Sequence, residues 1–291
     1  MDPLKAAAIA LYDRYTHEGM HRRDFMAALT RLAGSAAAAN ALLLGIAASP
    51  AAAAQTDPKD PALIIRKGPL GLEGRRLDGY VATPKAARGK KIAAILVVHE
   101  NRGLNPHIED VARRIALAGY FAVAPDFLSA AGGTPSDEDR AREAIAGLDL
   151  AASVRDAVAE LDHLHGLGHN NGKVGAIGFC WGGAFVNRLA VAAGSKLDAG
   201  VAYYGPAPDP AEAAKVKAPL LLHYAGLDER VNATGKPWVQ ALQRVGATVE
   251  AYSYPGVNHA FNNDTSPDRY NKAAADLAWR RTIAFFKREL G

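Results

Sequence analysis

From about residue 60 onward the chain alternates short apolar runs with amphipathic stretches of helical length, and this alternation restricts the fold more than any other feature. Residues 92–99, 121–125, 174–179, 200–204, 220–224 and 249–254 are apolar runs bounded by turn residues, the pattern of strands buried on both faces of a parallel sheet. Residues 107–118, 149–164, 183–193, 236–245 and 270–288 carry apolar side chains at helical spacing. The expected fold class is α/β, a mostly parallel, doubly wound sheet with helices on both faces. Residues 63–67 and 77–83, separated by glycine and charge, predict an antiparallel pair at one edge. Residues 129–138, rich in Gly, Pro, Ser and Asp, predict either a mobile loop near a site or a plain solvated connection.

Residues 1–54 differ in composition from the rest. Arg22 and Arg23 precede Asp24, Phe25 and Met26, an apolar Ala-rich region covers residues 36–48, and small residues of the A-x-A kind fill 49–54. This order predicts a twin-arginine-like export signal, and with it the twin-arginine export machinery as a partner and a periplasmic or exported location. The alternative is a cytoplasmic protein with an amphipathic N-terminal helical arm, since Leu4, Ile9, Leu11 and Tyr15 fall on one helical face. The apolar run is short of the roughly 20 strongly apolar residues of a stable membrane span. The expected division is therefore 1–54, an N-terminal segment, and 55–291, one catalytic domain. The chain has 34 basic and 30 acidic residues; residues 1–54 hold five and four of them, which leaves 29 against 26, a formal charge of +3. Neither that balance nor any basic stretch interleaved with aromatics favours nucleic acid as a partner.

One cysteine, Cys180, rules out an intramolecular disulfide and a multi-cysteine metal site, so its thiol is either a small buried apolar group or a reactive one. It sits in Gly178-Phe179-Cys180-Trp181-Gly182-Gly183, directly after the run ending at Phe179 and before a helical pattern. That is the sequence of a nucleophile elbow, where a sharp strand-to-helix turn exposes the central side chain and flanking glycines give it room. The start of the next helix places a positive dipole end by the sulfur, which favours thiolate. Asp228 and His259 each follow a predicted strand, so nucleophile, acid and histidine come in the chain order of α/β-hydrolases. An imidazole within reach of the sulfur moves its proton while the carboxylate fixes the tautomer. Taken singly, Asp228 is equally a helix cap and His259 a loop histidine. The nine histidines show no H-E-x-x-H spacing, and no metal or other cofactor is expected.

His99-Glu100-Asn101-Arg102-Gly103-Leu104, the Gly-Phe-Cys-Trp-Gly-Gly elbow and Pro255-Gly256-Val257-Asn258-His259-Ala260-Phe261 together resemble the dienelactone hydrolase family, from about residue 60 to the C-terminus. The resemblance implies an α/β-hydrolase fold, a Cys180–Asp228–His259 triad, an acyl-enzyme, and a small ester or lactone as substrate. It also implies that Glu100 helps deprotonate the thiol when substrate binds; without it, Glu100 reads as a strand-end residue in a salt bridge. Backbone N–H groups of Trp181 and of Glu100 or Asn101 are the expected oxyanion donors. Arg102, Tyr204 and Phe261 are candidate substrate contacts, with Tyr203 and the Trp181 ring weaker ones. Members acting on anionic dienelactones are expected to hold the carboxylate with an arginine soon after the histidine, where this chain has Phe261, Asn262, Asn263 and Asp264. That departure predicts a neutral substrate. The competing reading is a non-hydrolytic binding or thiol redox-sensing protein on the same scaffold.

Overall fold

In the computed structural model, which describes residues 2–47, 54–71, 74 and 77–291, the predicted apolar runs become strands within a few residues of their expected ends. The strands are β1 (Leu63–Pro69), β2 (Asp78–Pro84), β3 (Ile92–Val98), β4 (Phe121–Asp126), β5 (Asn170–Phe179), β6 (Ala199–Tyr203), β7 (Leu220–Ala225) and β8 (Val249–Tyr254). They form one sheet in the order β1-β2-β4-β3-β5-β6-β7-β8. β1 and β2 pair antiparallel from Leu63 opposite Pro84 to Pro69 opposite Asp78, β2 runs antiparallel to β4, and the remaining pairs are parallel.

Period-two alternation sends successive residues of each strand to opposite faces. Ile95, Val97, Ile177, Phe179, Val201 and Tyr203 pack on one side with α4 (Pro106–Leu117) and α9 (Lys272–Leu290). Leu96, Val98, Val123, Ala176 and Leu222 pack on the other with α6 (Leu150–Gly166), α7 (Trp181–Ala192) and α8 (Glu229–Arg244). From β3 the chain goes outward to β4 and returns to β5 on the other side of β3, so the strand order reverses there. In open α/β sheets the crevice at the carboxyl ends of strands flanking such a reversal is where ligands bind.

Three local outcomes differ from the sequence reading. α8 begins at Glu229, seven residues before the expected start at 236: Asp228 caps it and Pro237 lies inside the helix. Residues 129–138 are tied down, since the Asp126 carboxylate accepts the N–H groups of Leu128 at 3.0 Å and Thr134 at 2.7 Å and the Thr134 hydroxyl at 2.8 Å. A further helix, α5 (Glu138–Ala146), follows, capped by Asp137.

The N-terminal segment folds as α1 (Pro3–His17), α2 (Arg22–Ala33) and α3 (Ala36–Ile46). Gly34 ends α2 in the left-handed conformation at φ 79° and Ser35 caps α3, so the two helices bend by 109°. No single helix among the described residues is long and apolar enough to cross a membrane. Ala8, Ile9, Tyr12, Tyr15, Phe25, Leu29, Ala39 and Ile46 make a small core of their own, with Tyr15 stacked on Phe25 at 4.4 Å. Of the face expected for α1, Ile9 and Tyr15 are buried whereas Leu4 is 38% exposed; Ala8 and Tyr12 complete the buried stripe.

Close backbone approach at the β5–α7 turn makes a direct prediction. A Cβ at Gly178 would stand 2.1 Å from the Gly182 carbonyl oxygen, and one at Gly183 would stand 2.5 Å from that of Tyr203. Both obstacles are backbone and cannot swing aside. Gly178→Ala is expected to lose about 3 kcal/mol of stability, as overpacking a tight site does, read from the urea midpoint; a midpoint equal to wild type would refute the packing argument.

Candidate active site

Cys180 stands at the turn between β5 and α7 with φ 56° and ψ −114°, a conformation that side-chain-bearing residues rarely adopt. Two hydrogen bonds hold it there: its N–H donates to the Tyr203 carbonyl and its own carbonyl accepts from Ala184 N–H, each at 3.0 Å. Because α7 starts at Trp181, the first N–H groups of that helix face the sulfur side of the turn without intrahelical partners. The Trp181 ring stacks on His99 at 5.2 Å and lies against Phe127 and Phe185.

Asp228 divides its two carboxylate oxygens between structure and site. Oδ1 accepts the Val231 N–H at 3.1 Å and so caps α8, while Oδ2 lies 2.6 Å from His259 Nδ1. Asp228 is thus a helix cap and a partner of His259 at once. Burial alone would depress the His259 imidazole, but the Cys180 sulfur and the Asp228 carboxylate outweigh it and raise its pKa to about 10. Desolvation pushes the Asp228 carboxyl up and the neighbouring His259 more than reverses it, leaving it below the usual range. The other ring nitrogen, His259 Nε2, is buried on the side of the Cys180 sulfur and meets no nitrogen or oxygen partner among the described residues. One ligand-type atom from each of Cys180, His259 and His17 lies within 4.8 Å of the other two; an ion held there would occupy the only thiol.

Glu100 follows β3 and is 3% exposed. Its Oε2 accepts the Asn263 side-chain N–H at 2.8 Å, while Oε1 is buried without a partner. Glu100, Asn101, Arg102, Cys180, His259, Ala260 and Arg269 surround a single small cavity with Thr16 and His17 of α1. Arg102 pairs with Glu138 at 2.9 Å and donates to the Tyr12 hydroxyl. Tyr204 and Phe261 do not line this cavity; both are fully buried, their rings meeting edge-on at 5.4 Å, with the Tyr204 ring 5.0 Å from that of His259. Tyr203 lies deeper, against Phe179, its hydroxyl 2.7 Å from that of Thr282.

The sequence profile of the dienelactone hydrolase family matches residues 77–290. The chain belongs to the dienelactone hydrolase family. It is 33% identical over 256 residues to a protein of Escherichia coli O157:H7 named "putative carboxymethylenebutenolidase", covering 83% of this chain and 93% of that one. A protein of the same name from Methylorubrum extorquens is 32% identical over 283 residues, covering 90% and 95%. Among solved structures, the "Putative Dienelactone Hydrolase" of Klebsiella pneumoniae superposes with a TM-score of 0.70 at 28% identity, over 78% of this chain and 99% of its own. The fold and the family make this chain an ester or lactone hydrolase.

Against that family setting, two features of the site were missed in the sequence. Asp264, one of the residues standing where an arginine was expected, turns away: it pairs with His107 at 3.3 Å and accepts from Gln55 at 2.8 Å, beside a separate cavity of ≈ 290 Å³. In its place a buried arginine, Arg269, ten residues past His259, reaches the cavity at Cys180. Three residues more distant in sequence also arrive at the site. Asn101 Nδ2 donates to the Thr16 carbonyl at 3.2 Å, the His17 ring meets that of His259 edge-on at 4.7 Å, and Asp13 lies 3.6 Å from Arg269. With these in place the cavity at the sulfur is only ≈ 10 Å³.

Because the Cys180 sulfur is the largest of the influences holding the proton on His259, Cys180→Ala should lower the imidazole pKa from about 10. In the wild type, protonated His259 is then lost only as pH rises through about 10. NMR titration of the imidazole nitrogens checks both; an unchanged titration in Cys180→Ala would show that the sulfur does not act on the ring.

Proposed function

We propose that the chain is a carboxylic ester hydrolase, carboxymethylenebutenolidase-like in its chemistry, that works through a thioester acyl-enzyme on Cys180 with Asp228 and His259 as the rest of a triad. The observation that carries the reading is the 2.6 Å contact between His259 Nδ1 and Asp228, made while the opposite ring edge shares one cavity with the cysteine on its strained turn. Sγ attacks the carbonyl carbon, a C–S bond forms, and the carbonyl π pair moves onto oxygen. N–H groups of Trp181 and Asn101 are the donors suited to meet that oxyanion. Collapse breaks the C–O bond, and the departing alkoxide takes the proton carried by His259. Water then gives a proton to His259 and attacks the thioester, and the proton returns to sulfur as the acid leaves.

Glu100 fits the part of an electrostatic neighbour of the sulfur. A carboxylate beside the sulfur works against thiolate, and a substrate that displaces it from Asn263 lets it carry the thiol proton on to His259, so that the carboxylate is regenerated and the imidazolium holds the proton that the alkoxide takes. Arg102 and Arg269 in the cavity, with Asp264 turned away, favour a small ester or lactone bearing a carboxylate over a neutral one, since guanidinium forks match carboxylate geometry.

Residues that act as a unit lose activity together. Cys180→Ala and His259→Ala should each lower kcat/KM on an activated aryl ester by about 10³-fold or more with folding intact; near-wild-type turnover by either purified variant would end the triad assignment. Glu100→Gln separates electrostatics from support: turnover should fall while alkylation of Cys180 by a neutral reagent at mildly acidic pH becomes faster. Coincident alkylation profiles with unchanged turnover would remove Glu100 from the mechanism.

A further inference from the structure

The N-terminal helices lie across the carboxyl ends of the strands where the family's nucleophile sits, and their fit there is detailed. We infer that residues 3–47 are an intramolecular cap that shuts the Cys180 site of the full-length chain, and that substrate reaches the sulfur only when this segment leaves. The inference rests on the reading of Cys180 as nucleophile.

Space makes the first argument. Small-molecule sites are clefts of about 300–1,000 Å³, whereas the space at the sulfur is ≈ 10 Å³ with Thr16 and His17 closing it. No acyl or lactone group enters without displacing α1.

The second argument is the chemistry of the contacts. Both arginines of the cavity take partners from the segment: Arg102 donates to the Tyr12 hydroxyl, and Arg269 donates from Nε to the Ile46 carbonyl at 3.0 Å and faces the Asp13 carboxylate at 3.6 Å. Asp13 Oδ1 is buried without a hydrogen bond. A carboxylate of the cap thus stands by the guanidinium to which we assign a substrate carboxylate, so the segment competes with substrate for one charge as well as for space.

The third argument is separability. The apolar residues of the segment pack on each other in a cluster distinct from both layers against the sheet, so undocking leaves its core intact. What joins it to the catalytic domain is polar: Lys5 to Asp268 at 2.6 Å, the Tyr15 hydroxyl to Asp139 at 2.6 Å, Arg22 to Asp139 at 2.5 Å, and Asp268 N–H to the Gly45 carbonyl at 3.0 Å. The two ion pairs among them, Lys5–Asp268 and Arg22–Asp139, are partly exposed and individually weak. They suffice because the segment is tethered, and a tether supplies an effective concentration of about millimolar. Severing it between residues 48 and 54, where the sequence offers small residues of the signal-cleavage kind, abolishes that advantage.

The test uses the full-length chain with residues 50–53 replaced by a recognition sequence for a site-specific protease. Two rates are followed before and after cutting and dilution: alkylation of Cys180 by iodoacetamide, and kcat/KM on p-nitrophenyl acetate. Both should rise by about 10-fold or more on cutting, as loss of a millimolar tether predicts. The uncut triple variant Lys5→Ala/Tyr15→Phe/Arg22→Ala should move in the same direction, and about 0.5 M salt should accelerate alkylation of uncut wild type by screening the latch. Equal alkylation rates in uncut, cut and triple-variant chains would overturn the cap, as would loss of cooperative unfolding on cutting, which would make the segment part of the domain core. Faster alkylation of a cut chain that hydrolyses no ester or lactone would leave the cap standing and sink the hydrolase reading instead.

Discussion

The backbone turn at Cys180 is the constraint around which the site is arranged. Holding a non-glycine residue in that region costs about 1–3 kcal/mol, and such strain persists only where the surroundings over-determine it. Here they do so through absence of side chains. Gly178 lets β5 pass under the Gly182 carbonyl, and Gly183 lets α7 press on the Tyr203 carbonyl, whose oxygen also accepts the Cys180 N–H. The return is geometric: sulfur, helix start and adjacent strand ends meet at the strand-order reversal, where β3 delivers Glu100 and β5 delivers Cys180.

Around that turn the charged groups are arranged in mutual dependence. Asp228 would be raised by its own burial and is lowered by His259, and His259 would be lowered by its burial and is raised by the sulfur and by Asp228. Removing one partner from such a set leaves another charge buried and unpaired, which costs more than the pair contributes. His17, whose imidazole is driven well below its ordinary value by burial and then by the charge of His259 and nearby arginines, contributes an uncharged ring. A second imidazolium at that position would repel the first.

What the sequence disclosed follows from range. Strand ends, the elbow and the order of Cys180, Asp228 and His259 are local patterns, and each arrives within a few residues of its expected place. Asp228 is the instructive case, since cap and carboxylate partner are separate oxygens of one side chain and the two readings never competed. α8 starts seven residues ahead of its expected start because Asp228 caps it there. Arg269, Asn263 and the contacts of Thr16 and Tyr12 were illegible for another reason. The hydrogen bonds that give them meaning span 223, 163, 85 and 90 residues, and no periodicity records such pairings. Asp264 was misjudged because proximity in sequence to His259 was taken for proximity in space, whereas its carboxylate points to His107.

In the N-terminal segment the residues of the twin-arginine pattern and the residues that dock on the rest of the chain are largely different ones. A twin-arginine pattern concerns the order of residues 22–54, and docking concerns which side chains of α1, α2 and α3 face the catalytic domain. Arg23 is 93% exposed at its side chain and Arg22 61%, so the arginine pair remains accessible even while Arg22 holds Asp139. The docking residues lie mainly in α1, ahead of the arginines, and at the end of α3, beyond them. A short charged region would serve a signal, but only a full helix ending in Thr16 and His17 reaches Asn101 and His259.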